Sequence, residues 1–232
     1  MPGRTRRARG GAMSCEGASR LVTLELAGPA GRLEAVLQEC DTGRPAFAAL
    51  VCHPHPLYGG TMHNKVVHRV AATLHELGGT TLRFNFRGVG ASEGRYDEGR
   101  GELEDARAAL GALRGRVPGA PLVVAGFSFG ARMAAELAVG EPEVARLVLV
   151  APPVQAGGFE GLRTSRVPKL VVQGTADEVC TPGLLEAEYP AWAEPKQLVT
   201  IEGASHFFDR QLGALAKALL QGLTALPWGR TS

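Results

Sequence analysis

No run of about 18 uninterrupted apolar residues occurs in the 232-residue sequence, so no membrane-spanning helix is expected. Cysteine is scarce. Cys15, Cys40, Cys52 and Cys180 form no CxxC pair and share no regular spacing. That argues against a disulfide framework or a structural zinc site, and a reducing cytoplasm fits best. Internal repeats and interior low-complexity linkers are absent. A large excess of either sign of charge is lacking as well: 25 Lys+Arg face 23 Asp+Glu. Residues 1–20 hold Arg4, Arg6, Arg7, Arg9 and Arg20 against Glu16, a surplus of +4, which leaves −2 for the other 212 residues. A body of that charge is no general polyanion binder, so nucleic acid is not an expected partner.

What is present reads as one folded domain. Hydrophobic residues make up 45 % and charged residues 21 %, which are globular values. The length suits a single α/β domain better than two. Residues 1–20 read as a disordered basic tail, 21–226 as the domain and 227–232 as a short C-terminal tail. Arg6-Arg7 is followed by no apolar stretch, so a twin-arginine export signal is not expected; an over-long start, with Met13 as the first residue, is the other reading of the tail.

Alternation over 21–26 and 33–37, separated by Gly28-Pro29-Ala30-Gly31, predicts an opening β-hairpin. Apolar runs of strand length follow at 46–52, 80–86, 121–125, 144–150, 169–172 and 197–201. Helical spacing appears at 66–77, 102–113, 131–139 and 206–223. Strands alternating with helices imply a mostly parallel eight-stranded sheet with helices on both faces.

The pattern G-x-S-x-G occurs twice, at Gly90–Gly94 around Ser92 and at Gly126–Gly130 around Ser128. The motif carries chemistry only where a strand enters a sharp turn and a helix leaves it. There the turn holds the serine hydroxyl out at the strand's end, and small residues let strand and helix approach. Ser128 has the strand Pro121-Leu122-Val123-Val124-Ala125 before it and the helical Ala131–Leu137 after it. Ser92 has a loop on both sides and reads as a loop residue. Ser128 is therefore the candidate nucleophile.

A serine nucleophile needs a general base, and the base needs an orienting acid. Asp177 follows the strand at 169–172, and His206 follows the strand at 197–201. Both sit where a parallel sheet gathers its site, in the order Ser, Asp, His. Glu178 is the rival acid, one residue late. Of six histidines, only His206 lies beyond Ser128. For the oxyanion, the backbone N–H of Phe129 is one expected donor. The second comes from the loop His53–Gly60. Pro54 and Pro56 have no N–H to give, and Leu57 is selected over Tyr58 and His55. His53 and His55, with His63 and His68, have no acidic or thiolate neighbour in sequence, so a packing role is expected and no metal. Arg87, after the fourth strand, is expected to order its own loop rather than bind substrate.

The segments His53-Pro54-His55-Pro56-Leu57-Tyr58-Gly59-Gly60 and Arg83–Gly94, with the two turns that carry Asp177 and His206, resemble those of the α/β-hydrolases. They are similar to the small, lidless bacterial members near the dienelactone hydrolases and the acyl-aminoacyl-peptidase-like esterases, over roughly residues 21–225. The resemblance implies a Ser-His-Asp hydrolase without a cofactor. Two departures stand out: the loop carries His-Pro rather than His-Gly, and the nucleophile is Ser where dienelactone hydrolases use Cys. Only about 18 residues separate Val150 from Lys169, too few for a helical cap. An open site of this kind suits small, soluble acyl esters or thioesters, acted on by a monomer or homodimer. Peptidase or acyltransferase activity is the alternative within enzymes. A non-catalytic interaction protein on the same scaffold is the alternative outside them.

Overall fold

Six of the eight strands are apolar enough to be buried on one or both faces, and this fixes the layering. A computed structural model of the chain describes residues 20–40, 42 and 44–229. The strands are β1 (Arg20–Gly28), β2 (Gly31–Glu39), β3 (Phe47–Cys52), β4 (Gly79–Phe84), β5 (Leu122–Phe127), β6 (Val144–Val150), β7 (Lys169–Gly174) and β8 (Lys196–Ile201). They form one sheet in the order β1-β2-β4-β3-β5-β6-β7-β8. β1 and β2 form the antiparallel hairpin, β2 meets β4 antiparallel, and every later pairing is parallel. Every residue of β3, β4, β5, β6 and β7 is buried, as strands covered on both faces must be.

The helices are α1 (Lys65–Glu76), α2 (Arg100–Arg116), α3 (Phe129–Gly140), α4 (Pro182–Glu188) and α5 (Leu212–Ala225). Two apolar cores lie on opposite faces of the sheet. One joins Leu50, Leu82, Phe84 and Leu149 to Leu110, Leu113, Met133 and Leu137 of α2 and α3. The other joins Val51, Val123, Val148 and Leu170 to Val67, Val70, Leu215 and Leu219 of α1 and α5. Asn64 caps α1, its Oδ1 accepting the Val66 N–H at 2.8 Å. Residues 151–168 contain only two short 3₁₀ turns, so no cap covers the sheet's C-terminal edge.

Several expectations need correction. The last helix starts at Leu212 rather than 206, because Phe208 and Arg210 take positive φ values of 51° and 61° and break the chain into two turns. α4 was not anticipated. Cys52 and Cys180 are free and buried. Arg20, assigned to the tail, opens β1; residues 1–19 and 230–232 lie outside the described residues. At the other end, Trp228 packs its ring under the Arg146 guanidinium, and the Gly229 N–H donates to Ala145 O at 3.0 Å. Among the described residues, no helix is long and apolar enough to cross a membrane.

The loop after β4 is tied to α2 by a buried ion pair. Arg87 donates its backbone N–H, Nε and Nη2 to the Asp105 carboxylate at 2.9, 2.9 and 2.7 Å. The Asp105 side chain is fully buried and that of Arg87 nearly so. Removing one partner of such a pair strands the other's charge. Asp105→Ala is therefore expected to lower unfolding stability by about 3 kcal/mol, as read from urea melts. A loss under about 1 kcal/mol, the range of exposed pairs, would contradict this account.

Candidate active site

Ser128 lies between β5 and α3, with φ 54° and ψ −123°. A non-glycine residue adopts this conformation only where its surroundings enforce it. Here the two motif glycines do so. A Cβ on Gly126 would run into the Gly130 carbonyl, and one on Gly130 into the carbonyls of Cys52 and His53. β3, β5 and α3 are thus packed backbone to backbone, and the serine is turned out of the strand. Ser92, in the other copy of the motif, spends its hydroxyl on structure: it donates to Asn85 O at 2.7 Å and accepts the Glu34 N–H at 2.9 Å. It straps its loop to the hairpin.

The structure brings Ser128, His206 and Asp177 together in one hydrogen-bonded chain. His206 Nε2 lies 3.1 Å from Ser128 Oγ, and Nδ1 lies 2.9 Å from Asp177 Oδ2. All three are buried, at 8 %, 6 % and 2 % exposure. The carboxylate fixes the tautomer. An ionised Asp177 can only accept, so Nδ1 carries the proton and Nε2 is left to accept from the serine.

Asp177 is itself held by further donors. Its Oδ1 accepts the N–H groups of Val179 (2.9 Å) and Cys180 (2.8 Å), and Oδ2 accepts Gln173 Nε2 at 3.2 Å. Burial acts to raise its pKa. The bonds from His206, Cys180 and Val179 outweigh burial and hold it below the usual carboxylate range. Glu178, the rival acid, is exposed. Gln173 was not anticipated. Its one sequence signal is a polar residue at the end of the apolar strand Leu170-Val171-Val172, four positions before Asp177.

The loop after β3 carries the remaining backbone donors. Leu57 N–H donates to His55 Nδ1 at 3.2 Å, and Tyr58 and Gly60 N–H donate to His55 O at 3.1 Å. The His55 and Phe129 amides donate to no group among the described residues. Because His55 Nδ1 accepts, Nε2 carries the proton and donates to the Tyr96 hydroxyl at 3.1 Å. The His55 ring also packs on Tyr58, Tyr96 and Phe129, at centroid distances of 4.6, 5.0 and 5.0 Å. His53 is engaged at both nitrogens: Nδ1–H donates to Pro54 O at 2.6 Å, and Nε2 accepts the Phe86 N–H at 3.0 Å.

Of the phenylalanines near the site, Phe127, Phe129 and Phe208 are buried core residues and Phe207 is exposed. Leu57, Tyr58 and Val179 join Phe207 as exposed apolar side chains on the loops that carry the candidate residues. The Cys180 thiol lies beside the Ser128 hydroxyl, and burial pushes its pKa up to about 12.

Comparison with known proteins agrees with this architecture. A family model described as serine aminopeptidase, S33, matches residues 48–160. An uncharacterized protein of Rickettsia prowazekii is 37 % identical over 201 residues, covering 83 % of this chain and 84 % of that protein. A Xanthomonas campestris structure described as an α/β serine hydrolase without lid is 39 % identical, with a TM-score of 0.82 over 88 % of this chain and 94 % of that one. A Coxiella burnetii α/β serine hydrolase homologue is 42 % identical, with a TM-score of 0.83 over 87 % and 97 %.

His53 makes the loop pH-sensitive. Burial lowers its pKa from 6.5 to about 4, so the folded chain keeps it neutral while the unfolded chain protonates. Its contribution is fully present above 6.5 and is lost as the pH falls toward about 4, by at most about 1.4 kcal/mol per pH unit. Urea midpoints measured between about pH 7 and about pH 4 are expected to fall more steeply for the wild type than for His53→Gln; equal slopes would contradict the assignment.

Proposed function

The chain belongs to the α/β serine hydrolases, in the group without a lid, and we propose that it cleaves small acyl esters or thioesters through an acyl-enzyme. The observation that carries this reading is the hydrogen-bonded chain from Ser128 Oγ through His206 to Asp177, built on a strained Ser128 backbone. Ser128 attacks the acyl carbon while His206 Nε2 takes its proton. His206 then returns that proton to the leaving alcohol or thiol, and Asp177 stabilises the imidazolium in between. Water, activated by the same imidazole, releases the acid. No cofactor enters the sequence of steps.

The oxyanion is held by Phe129 N–H and a donor from the loop after β3. Leu57 was the first choice from sequence. Its N–H is committed to His55 Nδ1, so the reading moves to the His55 N–H, which has no acceptor among the described residues. Small substrates follow from the lack of a cap, and the exposed Leu57, Tyr58, Val179 and Phe207 supply an apolar rim for the acyl or leaving group.

Peptide hydrolysis on the same residues is the second reading, favoured by the description of the matching family model. A p-nitrophenyl ester compared with an aminoacyl anilide separates the two. The test of the common mechanism is fluorophosphonate labelling with ester turnover. Ser128→Ala is expected to abolish labelling and to lower kcat by about 10⁴-fold or more, while Ser92→Ala, if folded, keeps both. Labelling that survives in Ser128→Ala would refute the assignment.

A further inference from the structure

The Cys180 thiol has no part in the hydrolytic scheme, yet it stands inside the cluster. Only its backbone touches Asp177, through the N–H bond to Oδ1. One ligand atom from each of Asp177, Cys180 and His206 lies within 4.8 Å of the others, and all three residues are buried. We propose that these three side chains form an inhibitory site for a soft divalent cation of the zinc class.

The donor set selects the ion. One thiolate, one imidazole and one carboxylate are the ligands that zinc takes in tetrahedral sites, and three of them leave the fourth position open. Magnesium and calcium need six or more oxygens in their shell, and this cluster supplies one carboxylate. Gln173 adds an independent sign. Its Nε2 donates to Asp177 Oδ2 and to Cys180 O at 2.9 Å, while its buried Oε1 has no partner. The side chain that bonds Asp177 and Cys180 thus also carries an unsatisfied acceptor nearly out of reach of solvent.

The consequence for hydrolysis is direct. An ion held by His206 and Asp177 occupies the pair that takes up and stabilises the Ser128 proton, so the serine loses its base. Binding displaces the thiol proton of Cys180 to solvent, and an ion that takes His206 Nδ1, the nitrogen facing Asp177, shifts the ring proton to Nε2. The inhibitory half of the inference rests on the hydrolytic reading; the binding half does not.

The test uses the full chain, purified with chelator and then freed of it. Zn²⁺ is titrated against ester turnover, and Co²⁺ binding is followed by its thiolate charge-transfer absorption. The wild type is expected to lose turnover with Zn²⁺, to recover it with chelator, and to show the cobalt–thiolate band. Cys180→Ala is expected to keep turnover, to lack the band and to need at least about tenfold more Zn²⁺ for half-inhibition. If Cys180→Ala does not fold, Cys180→Ser is read by the lifted zinc requirement and the lost band. A wild type without the band overturns the site. So does a Cys180 variant as zinc-sensitive as the wild type. A band without inhibition overturns the inhibitory role. If the chain turns over no ester, the band in wild type and its loss in the variant decide the binding site alone, so failure of the hydrolytic reading is told apart.

Discussion

The close contact between β5 and α3 at Gly126 and Gly130 is the constraint on which the rest of the site depends. With no Cβ at either position, strand, helix and the end of β3 meet through their backbones. That contact forces the chain at Ser128 into a positive φ, which a serine would not adopt on its own. The strain is sustained by the two apolar cores flanking the sheet. In return, the hydroxyl projects from the sheet's edge, and the Phe129 amide is left without an intrahelical acceptor at the start of α3. One packing contact therefore supplies both a directed hydroxyl and a directed N–H.

The same economy holds on the far side of the site. Asp177 is buried, which opposes its charge, but it accepts from His206, from two backbone amides and from Gln173. These donors keep it ionised, and an ionised carboxylate keeps His206 in the tautomer whose Nε2 faces Ser128. The orientation of the imidazole thus rests on a short turn, 177–180, whose own amides close around the carboxylate. The proposed chemistry needs no moving part: each group is held by backbone geometry at the end of a parallel strand.

The features carried by local pattern were legible in the sequence. The hairpin showed as alternation around Gly28–Gly31, the buried strands as continuous apolar runs, and the turn at Ser128 as glycines between a strand and a helix. The order of Ser128, Asp177 and His206 along the chain sufficed to nominate a set that the fold brings into hydrogen-bonding distance. What stayed hidden depends on three-dimensional neighbours. Helical spacing beyond His206 gave no sign that Phe208, anchored in the core, and Arg210 would take positive φ. Leu57 looked available as a donor because nothing in the sequence says that His55 turns its own ring to accept that N–H. Gln173 and Cys180 read as ordinary residues until the turn folded them against Asp177.

The central claim is that Ser128 carries the acyl group. It is tested most directly by rapid quenching of the chain during turnover of an activated ester, followed by peptide-level mass spectrometry. The account predicts a transient adduct, with the mass of the acyl group, on the peptide that contains Ser128. Turnover with no adduct on that peptide, or with the acyl group on another residue, would contradict it.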